Sequence, residues 1–283
     1  MKIMSFNVLS KDTAEQKTRG AAEMTVNGYV SARAPKFNDM LDGELPDIVG
    51  LQECSAPWRA WLGENLNEKY AYVGNHTKAT GEAGYILYLK NKFRVLENGH
   101  FWLAEGAPQV PVVGWDARFD RICCWALFEC LKCGKRFLFF DTHLDHEGTV
   151  ARPLQAAVIV EQIEQKKEMA KLRYGIADCP VILVGDMNSR PTSEAYAVYT
   201  KQLKDSRVHS LGKTLPSEIS TSPWFWYCNS EADYCADSHI IDYIFVSSNI
   251  TVQNYDMIHT CTNLCPYGAY ISDHNAVIAE IKF

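Results

Sequence analysis

No apolar run in the 283 residues approaches the ~18 needed to cross a bilayer, so a membrane-spanning helix is not expected. Basic charge is also scarce. Lys and Arg total 28 against 34 Asp and Glu, a net charge of −6, whereas a protein that grips long nucleic acid carries a basic footprint. Long polyanions are therefore disfavoured as partners. No charged segment followed by an apolar core opens the chain, which reads as a strand from Ile3; a cytoplasmic protein is expected. Nor does a linker or a shift of composition divide it, so residues 1–283 are read as one domain acting as a monomer. Ten cysteines are scattered along it, and no second pair matches the Cys130-x-x-Cys133 spacing that a zinc site would repeat. A plain hairpin turn is the reading there. Cys123, Cys124 and Cys179 lie in apolar runs where a thiol packs as a small hydrophobe, consistent with a reduced protein. With 47% hydrophobic and 22% charged residues, the chain is an ordinary globular one rather than a disordered one.

What the chain does hold is a set of short apolar runs that end in polar side chains. Val181-Ile182-Leu183-Val184 reads as a buried strand, Gly185 frees the backbone to turn, and Asp186 and Asn188 follow at spacing two. On an extended segment such residues share a side, which aims a carboxylate and a carboxamide together at a sheet edge. A carboxylate can orient water or hold a hard cation, and an amide N–H can bond a phosphoryl oxygen. Taken alone, Gly-Asp-x-Asn is better explained as a turn.

In chain order, residues 3–9 read as a strand ending near Asn7, and about Ser10 to Val30 as a polar surface loop. A helix follows from about Ser31 to Leu41, then a buried strand from Ile48 into Glu53, and a helix from Trp58 to Leu66. Strands are expected near Tyr85–Leu89, Phe93–Leu103, Arg121–Phe128 and Arg136–Thr142. The longest helix runs from Thr149 to about Tyr174, and Thr192–Thr200 is a shorter one. Residues 207–239 look like an irregular insertion rich in aromatics, including Trp224-Phe225-Trp226-Tyr227. Ile240–Val246 and Asn275–Phe283 close the chain as strands. Interleaved helices and hairpins imply an α/β protein with mixed sheets packed together under helices.

Asn7, Glu53, His143 with Asp145, Asp186 with Asn188, Asp242, and Asp273-His274 all stand at strand ends. Packing alone does not explain six such ends, because these groups are costly to bury unpaired. A hard divalent cation would neutralise the carboxylates, and the histidines would supply protons or bond phosphate oxygens.

The motifs Ser5-Phe6-Asn7, Leu51-Gln52-Glu53, Thr142-His143-Leu144-Asp145, Gly185-Asp186-Met187-Asn188, Ile241-Asp242-Tyr243-Ile244 and Ser272-Asp273-His274-Asn275 resemble, in order, those of the endonuclease/exonuclease/phosphatase superfamily. Gly81-Glu82, Phe101-Trp102-Leu103 and Gly114-Trp115-Asp116 further resemble a bacterial branch near its deadenylase-like members. The resemblance implies a four-layer α/β/β/α sandwich of two packed mixed β-sheets flanked by helices, with the site at one edge. It implies Glu53 as the principal Mg2+ or Mn2+ ligand with Asn7 beside it, and Asp273 as ligand to a second ion. Asp186 would orient or deprotonate the attacking water, and Asn188 would bond the phosphate. His274 would contact that phosphate, held by Asp242, and His143 would do so from the other half, paired with Glu82. A carboxylate behind each imidazole is expected to raise its pKa and favour the charged donor. Asp145, Arg118, Arg121, Arg152 and Trp224 are candidates for substrate contact, since a few arginines satisfy one or two phosphates and an aromatic offers a flat face.

The expectation is a metal-dependent phosphoesterase acting by in-line attack of water on a small or short phosphate ester. A nuclease would share the chemistry but should show a basic groove, and a sphingomyelinase-like lipid phosphodiesterase should show an exposed apolar hairpin. A binding module on the same fold should have lost Glu53 or the Asp242–His274 pair; neither is lost.

Overall fold

A computed structural model describes residues 1–19, 22–78, 81, 83–212, 220–222, 240–260, 265–268 and 270–283. The apolar runs become strands. β1 (Lys2–Asn7) pairs in parallel with β4 (Ile48–Gln52) and antiparallel with β14 (Ala276–Lys282). With β13 (Thr251–Ile258), β6 (Ala83–Leu89) and β5 (Tyr70–His76) they form a six-stranded sheet in the order β13-β14-β1-β4-β6-β5. A second six-stranded sheet is ordered β11-β12-β10-β9-β8-β7. Its strands are β7 (Phe93–Trp102), β8 (Ile122–Cys130), β9 (Arg136–His143), β10 (Val181–Asp186), β11 (Lys204–Asp205) and β12 (Asp242–Val246). Here β10 has a parallel neighbour in β9 and an antiparallel one in β12, the surroundings that β1 has in the first sheet.

Side chains along each central strand alternate between two cores, as a period of two requires. Ile182 and Val184 join Ile3, Ile48, Phe137, Phe139 and Ile244 between the sheets. Leu183 faces the other way, with Phe140, Phe245 and Tyr199, against α3 (Ala151–Tyr174) and α4 (Glu194–Thr200). Met4 and Phe6 pack outward on α1 (Val30–Glu44) and α2 (Ala56–Asn65) through Phe37, Met40 and Trp58. The result is the expected helix–sheet–sheet–helix sandwich. The sheets approach closely at Gly50, where a Cβ would lie 2.3 Å from Val184 Cγ2 and 2.7 Å from Asp141 Oδ1. No helix among the described residues is long and apolar enough to cross a membrane.

Five strands, β2 (Glu15–Arg19), β3 (Ala22–Val26), β5, β11 and β13, were absent from the sequence reading. The supposed loop after β1 contains the antiparallel pair of β2 and β3. β2 (EQKTR) is wholly polar, so the short alternation of β3 (AEMTV) had no apolar partner strand to mark it as a hairpin. β5 and β13 were missed for a related reason: both are edge strands with every second or third residue exposed, and both hold Asn and other polar residues.

Candidate functional site

Registers decide what meets at the sheet edge. Asn7 lies opposite Gln52, which places Glu53, the next residue, beside the end of β1. In the second sheet Asp186 is opposite both His143 and Asp242. Gly185 makes that pairing possible: its φ is +153°, and a Cβ there would sit 2.0 Å from Thr142 O. Glu53 (φ 58°) and Asn188 (φ 44°) take left-handed backbone conformations just beyond the two central parallel pairs. Such conformations cost energy in non-glycine residues and persist where surrounding contacts fix them.

In the first half, Asn7 Nδ2 donates to Glu53 Oε1 (3.0 Å) and across the sheets to Asp186 Oδ2 (3.0 Å). Ser10 N donates to Glu53 Oε2 at 2.9 Å, and Ser272 Oγ donates to Asn7 O at 2.6 Å. Burial works against the Glu53 carboxylate, but the donors Asn7 and Ser10 outweigh it and hold its pKa below the ordinary value.

In the second half, Asp186 Oδ2 also lies 3.4 Å from His143 Nε2 and 3.7 Å from His274 Nε2. Asp186 thus touches Asn7 and both imidazoles. Burial and then the neighbouring Asp242 carboxylate push it up to about 7, against the opposing pull of His274. His274 Nδ1 is 2.9 Å from Asp242 Oδ2. Burial disfavours its charged form, yet Asp242, Asp186 and Asp273 together raise its pKa well above normal. Asp242 is placed by Thr221, whose Oγ1 accepts from the Ile241 and Asp242 N–H groups at 3.0 and 3.1 Å.

His143 has a guanidinium beside it, while the expected pairing with Glu82 falls outside the described residues. Among the described residues, its Nδ1 faces Arg121 Nη1 at 3.1 Å, and Arg121 Nη2 is 3.0 Å from His146 Nδ1. An arginine only donates, so both imidazole nitrogens act as acceptors and Nε2 of His143 carries its proton. Burial first, then the charges of Arg121, His274 and His146, lowers the His143 pKa well below the ordinary value. His143 is a neutral N–H donor, not a cation. Trp224 also lies outside the described residues.

Asn188 Nδ2 is 3.0 Å from His143 Nε2 and donates to Leu144 O at 2.9 Å, while its backbone N–H donates to Asp186 Oδ1 at 2.9 Å. Asp145 is a correction. Instead of offering its carboxylate to a substrate, it is fully buried and accepts from the backbone N–H groups of Arg118, Phe119, Glu147 and Gly148 at 2.7–3.3 Å. It organises the loop that carries Arg121 toward His143. The exposed Arg118 pairs with Glu147 at 3.1 Å, and Arg152 Nη1 donates to Asp145 O at 3.4 Å. Neither guanidinium is brought to the central carboxylates.

Two supports were not marked in the sequence. Arg33 is fully buried and donates to Gly28 O, Val8 O, Ile271 O, Leu9 O and Lys11 O at 2.6–3.0 Å. It thereby ties the loop after Asn7 to the loop before Asp273, with Trp58 Nε1 also donating to Leu9 O at 3.0 Å. Its signal was present in the spacing of Val30, Arg33, Ala34, Phe37, Met40 and Leu41, which puts Arg33 on the inner face of α1. Gln52 Nε2 donates across the sheets to Asp141 Oδ1 at 2.6 Å, one residue before Glu53 and two before His143. Burial raises the Asp141 pKa far above normal, so this inter-sheet tie uses a neutral acid.

The donor set fits a hard divalent cation. Glu53, Asp186, Asp242 and Asp273 gather at one edge, and buried Asp242 Oδ1 has no hydrogen-bond partner among the described residues. Ligand-type atoms of Asp186, Asp242 and His274 lie within 4.8 Å of one another. Because His274 Nδ1 is already held by Asp242, we read that trio as a hydrogen-bonded relay. The Glu53 side, with the Asp273 carboxylate near Glu53 and His274, suits such a cation better.

Residues 4–274 match the model of the Endonuclease/Exonuclease/phosphatase family. The chain belongs to that family. Among solved structures it is similar to a mannosyl-6-phosphatase of Bacteroides thetaiotaomicron, at 29% identity over 100% of both chains with a TM-score of 0.77. It is likewise similar to an endonuclease/exonuclease/phosphatase of Bacteroides vulgatus, at 26% identity and TM-score 0.77 over 100% of this chain and 98% of that one. Human Nocturnin is 21% identical over 207 residues, 70% of this chain, and the matched chain spans 43% of Nocturnin's length. The two Bacteroides likenesses and Nocturnin agree with the bacterial, deadenylase-like placement drawn from the motifs. As a family member the chain is a hydrolase acting on phosphate esters.

Proposed function

We propose that this enzyme is a divalent-metal-dependent phosphoesterase that hydrolyses a small phosphate ester, with sugar phosphates the first class to test. The observation that carries the reading is the single Asp186 oxygen contacted by Asn7, His143 and His274. Asp186, with its pKa raised to about 7, is matched to accepting a proton from water near neutral pH. The His274 imidazolium, oriented by Asp242, and the neutral Nε2–H of His143 are donors for nonbridging phosphoryl oxygens. Asn188 lies between His143 and Asp186 as a further amide donor. In-line displacement concentrates charge on those oxygens, and preplaced donors stabilise it without reorganising. Glu53, Asn7 and Asp273 would hold Mg2+ or Mn2+, which supplies charge neutralisation at the phosphoryl group.

The class of substrate is supported by the net charge of −6 and by the full-length likeness to a mannosyl-6-phosphatase. We read residues 1–283 as one catalytic domain. The test is phosphate release from hexose phosphates, nucleotides, a lipid phosphodiester, and single- and double-stranded polynucleotides, with Mg2+, Mn2+ or chelator. Metal-dependent turnover of a small ester, with little response to salt, is expected. A preference for polynucleotides whose rate falls ~10³-fold or more from low to moderate salt would replace this reading with a nuclease.

A further inference from the structure

β8 passes into β9 at Cys130-Leu131-Lys132-Cys133-Gly134-Lys135, at the end of β8 away from Ile122 and the site. Nine residues of strand separate the two ends by roughly 27 Å. Gly134 N donates to Cys130 O and Cys130 N donates to Lys135 O, both at 2.8 Å. A turn closed this tightly brings Cα atoms three residues apart to within about 7 Å, near the ~4.4–6.8 Å that a disulfide spans. Inside it the Cys133 thiol and the backbone N–H groups of Cys133 and Lys132 favour the Cys130 thiolate.

These contacts separate the pair from the other described cysteines. Cys54, Cys123, Cys124, Cys179 and Cys265 are buried, and burial raises each thiol pKa. Cys133 is exposed and Cys130 half-buried. Burial opposes the Cys130 thiolate, but the three donors prevail and its pKa falls below the ordinary thiol value.

We propose that Cys130 and Cys133 form a thiol–disulfide exchange site whose co-reactant is a low-molecular-weight disulfide of the glutathione type. The Cys130 thiolate attacks one sulfur of that disulfide; the new bond joins Cys130 to half of it, and the other half leaves as a thiolate. Cys133 gives its proton to solvent and attacks the Cys130 sulfur, breaking the mixed disulfide and releasing the second thiolate. One small disulfide is reduced to two thiols as the Cys130–Cys133 bond forms, so electrons and protons balance. The turn already holds the two residues at the spacing a disulfide needs. Distance from Asp186 keeps the exchange separate from hydrolysis.

The experiment incubates the intact protein with oxidised glutathione, then alkylates and maps the peptides by mass. An internal Cys130–Cys133 disulfide is expected in the native chain. The Cys133→Ser variant should accumulate glutathione on Cys130, because nothing resolves the mixed disulfide. The Cys130→Ser variant should acquire it on Cys133 more slowly, and phosphate release should be unchanged in all three. A pair that stays reduced, bonds between chains, or loads glutathione equally fast at Cys133 in Cys130→Ser would overturn the proposal.

Discussion

His274 and His143 face the same Asp186 oxygen, yet their other nitrogens meet groups of opposite charge. Asp242 favours a proton on His274, while Arg121 disfavours a second one on His143. One imidazole is charged at neutral pH and the other is not, although both stand in similar motifs. Ring NMR signals check this. His274 should remain protonated through pH 6.5, and His143 should already be neutral there. Arg121→Ala should raise the His143 pKa without restoring the ordinary value, because burial, the larger cause, is untouched. A native His143 that titrates near 6.5 would refute the assignment. Asp186 gives a second prediction with a fixed sign. Its folded pKa of about 7 exceeds the ordinary 3.8, so the folded state holds the extra proton between those values. Stability from this group is therefore lost as pH rises from about 4 to about 7. In metal-free urea unfolding, Asp186→Asn should become progressively more stable than the native chain over that window. A difference that stays flat, or runs the other way, would contradict the shifted pKa.

Beyond the β1–β4 register, the Glu53–Asn7 side is held by the loops after Asn7 and before Asp273, and Arg33 in α1 ties them. Five carbonyl oxygens converge on its guanidinium, a geometry that a lysine ammonium with three donors cannot reproduce. Hydrogen bonds to a charged group contribute about 1.5–3 kcal/mol each, so Arg33→Lys should destabilise the protein measurably. It should also weaken Mg2+ binding in calorimetry, because the tied loops carry Ser10 and Asp273 and leave directly from Asn7. Leu183→Ala, in the core beneath the other sheet, is the control for instability alone. Equal Mg2+ affinity in the two variants would reduce Arg33 to a structural role. The same elements mark how far the sequence could be read. β1, β4, β9 and β10 were legible because each is an apolar run stopped by a polar residue, and β12 because Asp242 opens one; these polar residues are the candidates that meet at the sheet edge. The partners of the polar residues were not legible. That Arg121 reaches His143 depends on a loop folded around Asp145, and spacing does not encode that fold. Arg33 was passed over because a charged residue in a helix ordinarily faces solvent, although its neighbours placed it on the buried stripe.

Over the whole molecule, two sheets with like strand surroundings each bring polar ends to one edge, and the neutral Gln52–Asp141 tie joins them just beneath. Asn7 comes from one sheet, His143 and Asp242 from the other, and His274 from the segment entering β14. Their shared neighbour is Asp186. Four carboxylates crowded at this edge favour a metal ion more than they favour the isolated fold, a balance in which an active site is kept at some expense of stability. Mg2+ should accordingly raise the melting temperature of the native chain, and Glu53→Ala should remove most of that rise; an equal rise in both would move the ion elsewhere. The most direct test of the account is turnover by Asp186→Asn on the best ester from the substrate panel, with saturating Mg2+ and the fold verified by circular dichroism. The substitution keeps the side-chain shape but removes the charge and the proton acceptor, so kcat should fall at least ~10²-fold. Near-native turnover by a folded, metal-loaded Asp186→Asn enzyme would contradict the central role given to this carboxylate.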